Sequence, residues 1–300
     1  MQQYHDAVEH VIKCGTKVHN RTGTDTICVF GYQMRFDLSA GFPAITTKRL
    51  AWKAVVGELL WFLEGSMDER RLAELTYGQP RQNLIDKSTI WTANADTQGV
   101  QLGYSNCPEH KFLGPIYGHQ WRNFDGATYN SQPQYSGKDQ IRDILEQLQH
   151  SKESRRILLS AWNPNQLHEM ALPPCHVLAQ FRVLDNKLSC QLYQRSCDLG
   201  LGAPFNIASY SLLTHIFARE CGLDVGDFVY TVGDMHIYEN HIEPLKTQIT
   251  RQAYELPTLR IDDSFNLEAG LCAGFALGDR DKFELVGYKH HPTISMDMAV

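Results

Sequence analysis

Apolar residues recur with helical spacing in some stretches of the chain and alternate in others. Across residues 50–63, Ala51, Val55, Leu59 and Leu63 form one row at i, i+4, and Trp52, Val56 and Leu60 form a second. Two such rows make a helix apolar nearly all round, hence buried, and Gly65 stands where its C-cap belongs. Ile141, Ile144, Leu145 and Leu148 predict a second, amphipathic helix behind the start signal Ser136-Gly137-Lys138-Asp139. Residues 156–162 read as a strand. Val177, Ala179, Phe181 and Val183 then alternate, the chain turns through Asp185-Asn186, and Leu188, Cys190 and Leu192 alternate back, which is a hairpin pattern. A long helix is expected over residues 206–221, closed by Gly222, followed by a strand over 228–232 and a helix over 237–250. The class these elements define is α+β with antiparallel pairing.

No repeat or low-complexity tract divides the 300 residues, so a single domain over 1–300 is expected. Stretches rich in Gly, Asn, Gln and Asp at about 77–87, 93–111, 125–137 and 262–281 read as surface loops or insertions. Hydrophobic residues at 43% and charged residues at 21% are ordinary for a globular chain and exclude disordered and coiled-coil classes. No apolar run approaches the ~18–20 residues that cross a bilayer, and Met1 leads into a polar segment, so a cytoplasmic, unprocessed protein is expected. The net charge of −6 disfavours a nucleic-acid partner but leaves room for a small anion. The eight cysteines form no C-x-x-C pair, so neither a disulfide framework nor a zinc or other metal site is expected.

One of those cysteines stands out. Cys175, in Ala171-Leu172-Pro173-Pro174-Cys175-His176, is presented from a turn that two prolines stiffen, which suits a nucleophile; a small core residue at the start of a strand is the bland alternative. Arg195, in Gln194-Arg195-Ser196-Cys197-Asp198, falls on the strand neighbouring Cys175, where a guanidinium lowers a thiol pKa. Arg21, Arg155 and Arg156 are further candidates for gripping phosphate, although an arginine doublet also suits a solvated surface. Glu58 has Ala54, Val55, Trp61 and Phe62 as its helix neighbours, so its pKa should rise towards the range of a general acid/base unless it snorkels or pairs with Arg49. His236 and His241 stand at i, i+5 rather than the i, i+4 that turns two imidazoles to one ion, which discounts zinc. A hydrogen-bonding pair of His236 and Tyr238 is the better reading. Asn206, near a helix start, serves either as a cap or as an amide that reads a pyrimidine edge.

Together these segments resemble the thymidylate synthase family. The resemblance also covers Arg21-Thr22-Gly23-Thr24, Thr46-Thr47-Lys48-Arg49, Glu58-Leu59-Leu60-Trp61-Phe62-Leu63, Leu113-Gly114-Pro115-Ile116-Tyr117-Gly118, Ser154-Arg155-Arg156, Gly202-Ala203-Pro204-Phe205-Asn206 and Gly233-Asp234-Met235-His236-Ile237-Tyr238. It implies a large, mixed, mainly antiparallel twisted sheet with flanking helices, a single catalytic domain, a homodimer, and reductive methylation of dUMP to dTMP. Methylenetetrahydrofolate would give the one-carbon unit and the hydride and leave as dihydrofolate. By the family's pattern Cys175 adds to C6 of the uracil, Glu58 organises protons near O4 and the folate, and Tyr117 assists loss of the C5 proton. Arg21, Arg195 and Ser196 would hold the phosphate, joined by Arg155 and Arg156 from the other subunit. Asn206 would read the uracil, His236 and Tyr238 the ribose and Asp198 the pterin, with Gln194, Cys197 and Ile237 completing the nucleotide site. Lys48, Ile90, Trp91, Leu172, Gly202, Phe205 and Ala299 would shape the folate slot, and Met298-Ala299-Val300 would close over it.

This chain also departs from the family's pattern. Thr92 stands where the family usually has Asp, Asp25 where Gly is common, Ala51 where bacterial members have His, and His290 where Pro is common. Two rival functions follow from the same residues. A dUMP hydroxymethylase would let water capture the methylene intermediate. A cytidylate substrate is disfavoured by Asn206, because related cytidylate enzymes carry Asp there. From another class, an RNA-binding autoregulator lacks a basic, aromatic platform here, which leaves at most weak RNA binding.

Overall fold

The computed structural model describes residues 1–19, 23–129, 132–133 and 136–297. In chain order the first elements are α1 (Gln2–Cys14), β1 (Thr16–Val18), β2 (Thr26–Asp37), α2 (Trp52–Glu64), α3 (Glu69–Tyr77), the single turn α4 (Thr92–Asn94) and α5 (Tyr117–Asn123). There follow β3 (Thr128–Tyr129), β4 (Gln132–Pro133), α6 (Gln140–His150), β5 (Leu158–Ser160), β6 (His176–Leu184), β7 (Lys187–Asp198) and α7 (Gly202–Glu220). The chain ends with β8 (Asp224–Tyr238), α8 (Ile242–Ile249), β9 (Thr258–Ile261), α9 (Leu267–Ala273) and β10 (Phe283–Val286). Six strands share one sheet in the order β1-β2-β8-β7-β6-β5, an α+β architecture as expected. The fold divides into two compact units.

One unit comprises Met1–Ala51, Ala179–Arg260 and Leu285–Val300. Its frame is β8, paired antiparallel with β2 from Thr26↔Tyr238 to Asp37↔Asp227 and parallel with β7 through Asp198↔His236. A parallel neighbour needs a crossover, and α7 supplies it. This helix is buried along most of its length, with apolar Ile207, Leu212, Leu213, Ile216 and Phe217 pressed against β7 and β8. Phe228 stacks with Phe36, Tyr210 and Tyr230 at the centre of this core. The β6–β7 hairpin turns where the sequence placed it, with Asp185 and Asn186 both left-handed (φ 49° and 61°), the backbone of a type I′ turn.

The other unit comprises Trp52–Leu178 and Ile261–Glu284. Helix α2 is buried continuously from Val55 to Leu63 and ends at Gly65 (φ 77°), as its two apolar rows predict. Helix α5 lies against it, and Gly118 is what lets it: a Cβ there would stand 3.0 Å from the Phe62 carbonyl. Arg122 of α5, 7% exposed, donates to the carbonyls of Leu63 (2.6 Å) and Leu271 (3.0 Å) and pairs with Asp139, whose carboxylate also caps α6 by accepting from Arg142 N–H. Strand β5 pairs with the start of β6, Ala161 N–H donating to the Val177 carbonyl.

Four elements differ in their bounds from expectation. The strand expected over 228–232 runs the whole length of β8, so Ile237 lies in a strand and the last long helix begins only at Ile242. The strand expected over 156–162 narrows to β5, and the helix expected from residue 206 starts at Gly202, which places Asn206 inside α7 rather than at its cap.

Candidate active site

In the second unit, Glu58, Trp91, Tyr117 and Cys175 are brought together. Glu58 is 4% exposed on α2, and the Trp91 indole Nε1–H donates to its Oε1 at 2.7 Å. Burial pushes the Glu58 carboxyl up to about 7, with the Trp91 bond acting in the opposite direction. It does not snorkel to the surface. The Tyr117 ring packs on Phe62 (4.9 Å), on Trp91 (5.9 Å, edge-on) and on His176 (4.9 Å). Its hydroxyl accepts the Cys175 backbone N–H at 2.6 Å and the His176 N–H at 3.3 Å. Pro173 and Pro174 bring no amide hydrogen to this turn, so Tyr117 satisfies the first donors after them and fixes the half-buried Cys175 at the mouth of β6. Burial, with the Cys175 and Glu58 charges adding to it, raises the Tyr117 hydroxyl pKa well above its ordinary value, so it stays protonated.

In the first unit, the parallel register of β7 and β8 lays two signature segments side by side, Ser196 opposite Asp234 and Asp198 opposite His236. Gln194, 2% exposed, donates to the Ser196 carbonyl and to Asn206 Oδ1 (3.2 Å) and accepts from Tyr230 Oη (2.7 Å). Tyr230 Oη also lies 3.2 Å from Cys197 Sγ, so this buried chain of polar groups orients Asn206 on α7. Asp198 accepts from the Gly200 and Leu201 N–H groups, and Lys48 donates to the Gly200 carbonyl. Burial would raise the Asp198 pKa, yet His241 and the Gly200 N–H outweigh it and hold the carboxyl below its ordinary value. The Lys48 ammonium is pushed down to about 8 by burial, with Asp198 partly offsetting. His236 Nδ1 bonds Asp234 at 2.6 Å, and Tyr238 meets its ring edge-on at 5.3 Å.

Of the other expected site residues, Arg195 and Ser196 are half-buried on β7, Arg155 and Arg156 are exposed before β5, and Ile237 is fully buried. Ile90 is exposed beside buried Trp91, while Leu172, Gly202 and Phe205 are half-buried. Arg21 and Ala299, with Met298 and Val300, lie outside the described residues. Among the described residues no group of His, Cys, Asp and Glu is arranged to hold a metal ion, and no helix is long and apolar enough to cross a membrane.

Two features escaped the sequence. His241, considered only as a metal ligand, is fully buried; its Nε2 bonds the Asp297 carbonyl at 2.7 Å and its Nδ1 lies 3.6 Å from Asp198. Trp91, expected only against folate, is the hydrogen-bond partner of Glu58. Nothing local announces either: His241 is flanked by Glu239, Asn240 and Glu243, and Trp91 lies far along the chain from Glu58.

The fold and these groups define an α+β protein that presents a cysteine beside a buried, high-pKa carboxyl, the equipment of covalent and acid/base chemistry. Comparison with known proteins narrows that class. The family model described as thymidylate synthase matches residues 2–300. The chain is 44% identical over 307 residues to thymidylate synthase of Homo sapiens, covering 99% of this chain and 90% of that one. It is 46% identical over 302 residues to the bifunctional dihydrofolate reductase-thymidylate synthase of Paramecium tetraurelia and 45% over 300 residues to that of Zea mays. Each match covers 99% of this chain, which spans 61% and 54% of the length of those two relatives. The chain belongs to the thymidylate synthase family.

Proposed function

We propose that this protein reductively methylates dUMP to dTMP, with methylenetetrahydrofolate as co-substrate and dihydrofolate as second product, within one catalytic domain. The observation that carries the reading is the hold of Tyr117 on the Cys175 backbone beside a Glu58 carboxyl near neutrality. The thiolate of Cys175 adds to C6 of the uracil, so that electron density reaches C5, which attacks the one-carbon unit. Glu58, half protonated near pH 7, can give and take protons around O4 and the folate. Tyr117, held protonated, assists loss of the C5 proton by ordering the acceptor rather than by ionising. As the C5 proton is lost the folate nitrogen leaves the one-carbon unit, the pterin returns a hydride to the resulting exocyclic methylene, Cys175 departs from C6, and a methyl group remains on C5.

The remaining roles follow the family's pattern. Arg21, Arg195 and Ser196 take the phosphate; Gln194 and Cys197 brace Asn206, which reads the uracil; His236 and Tyr238 address the ribose, with Ile237 completing the nucleotide site; Asp198 takes the pterin. Lys48, which props the Gly200 loop, belongs to the folate site with Ile90, Trp91, Leu172, Gly202, Phe205 and Ala299. A homodimer is the proposed assembly. It is supported by an exposed stripe of Gln33, Gln191 and Tyr193 around Thr231 on the large sheet, and by the exposure of Arg155 and Arg156, which would reach the partner's phosphate site. The proposed location is the cytoplasm.

Incubation with dUMP and methylenetetrahydrofolate, with both products identified, tests the reaction. Thymidylate with equimolar dihydrofolate is expected; hydroxymethyl-dUMP with tetrahydrofolate would overturn it. Cys175→Ala should abolish the covalent complex with a 5-fluorinated dUMP, and an adduct that persists would assign the nucleophile elsewhere.

A further inference from the structure

Behind Trp91 the chain buries a pair of charges that the proposed reaction does not use. Glu69 and Arg70, the first residues of α3, are 0% and 1% exposed. Glu69 Oε2 accepts from Arg70 Nε at 2.6 Å and Oε1 from Arg70 Nη2 at 2.7 Å. The Oε1 atom also accepts the hydroxyls of Thr89 and Thr92, each at 2.6 Å. Arg70 Nη1 donates to the carbonyls of Leu84 and Lys87 at 3.0 Å, so the guanidinium ties down the segment leading to Trp91. The threonines then hold the tryptophan's own turn. Thr92 Oγ1 accepts the Thr89 N–H at 2.8 Å, and Thr89 Oγ1 accepts the Trp91 N–H at 3.2 Å.

The outward bonds of this cluster end on the segment from Leu84 to Thr92, which carries the indole. A buried ion pair is by itself a weak source of stability, because desolvation offsets the attraction, and its better-attested use is to fix a geometry. Here the geometry fixed is that of Trp91, whose indole N–H meets Glu58 at 2.7 Å. We propose that Glu69, Arg70, Thr89 and Thr92 are positioning residues that aim the Trp91 N–H at the Glu58 carboxylate. The proposal deepens the reading of Glu58 as the acid/base group and rests on it.

The consequence is a control on protonation. The Trp91 bond favours the ionised carboxylate, against burial, which favours the neutral acid. Tyr117 on α5, which burial keeps neutral, interacts electrostatically with both Glu58 and Cys175, and its hydroxyl accepts the Cys175 backbone N–H. Loosening the threonines lengthens the indole bond and leaves burial unopposed, so Glu58 holds its proton to a higher pH.

The test follows the Trp91 indole N–H by NMR, assigned with Trp91→Phe, as pH is varied. In the unaltered protein its shift should follow Glu58 with a midpoint near 7, and Glu58→Gln should abolish that titration. Thr92→Val should raise the proton affinity of Glu58 by about tenfold, lower kcat by a similar factor and leave the KM for dUMP unchanged. Thr92→Ser, which keeps the hydroxyl, should restore both. Thr89→Val should act in the same direction; both threonines are partly exposed, so either variant is expected to fold. An unchanged midpoint in Thr92→Val and Thr89→Val overturns the proposal, whatever happens to the melting temperature. The NMR titration needs no turnover, so a failed reaction assay with a shifted midpoint counts against the proposed reaction and for the positioning role.

Discussion

Glu58 and Tyr117 meet the same burial with opposite consequences. For Glu58, burial brings the titration to where enzymes work, from the ordinary 4.5 to about 7. The folded protein therefore binds this proton more tightly than the unfolded chain does. Stability contributed by Glu58 is fully present below about 4.5 and declines as pH rises towards 7, by up to about 3 kcal/mol. Glu58→Gln should flatten that slope, which denaturant unfolding at pH 5 and pH 8 would register. For Tyr117, burial fixes the hydroxyl as a neutral acceptor for two backbone N–H groups. Tyr117→Phe strips both donors of their partner, and a loss of about 1–3 kcal/mol is expected. Adduct formation with 5-fluorinated dUMP should slow as well, because the Cys175 turn loses its anchor; an unchanged rate would remove Tyr117 from the positioning of the nucleophile.

Among the elements, α5 and α6 are joined by one carboxylate. Asp139 caps α6 and neutralises the buried Arg122, so Asp139→Ala removes a cap and strands a cation, at a cost of about 3 kcal/mol or more. Asp139→Asn, which keeps an N-cap acceptor, separates the two contributions in urea unfolding. How far such elements were legible depended on where their signals lie. The α2 rows, the Asp185-Asn186 hairpin and the Asp139 start of α6 are local patterns, and the structure matches them. Only residues 228–232 of β8 carry a strand pattern in the sequence, because Gly233 and Asp234 look like turn residues. In the fold Gly233 is a close approach instead: a Cβ there would meet the Arg195 carbonyl and Tyr193 Oη at 3.0 Å. Strand β2 has no clear sequence pattern because its burial alternates only from Met34 onward. At the site, Cys175, Glu58 and Asn206 announced themselves through neighbours in sequence. The Glu69–Arg70 pair did not, since two adjacent charges opening a helix read as solvated until residues 84–92 are seen to cover them.

For the whole molecule, the proposed assembly gives a test at the large sheet. Tyr193, 37% exposed on β7, lies in register with Thr231 within the exposed stripe assigned to the second copy. Tyr193→Asp should shift sedimentation towards monomer and lower turnover together, because in the proposed dimer Arg155 and Arg156 would act on the partner's phosphate. A dimer that survives unchanged would place the interface elsewhere. The pairing of β2 with β8 also governs how the protein is made. Thr26 is matched to Tyr238, so the edge of β2 that faces away from β1 has no partner until residue 238 has left the ribosome. At about 5–20 residues per second, that wait is on the order of ten to forty seconds. Throughout it, β2 displays an unpaired edge bearing Ile27, Val29 and Phe30, while residues 52–178 can already condense as a nearly continuous unit. Nascent chains arrested before β8 should therefore recruit chaperones at β2 and release them once residue 238 has emerged.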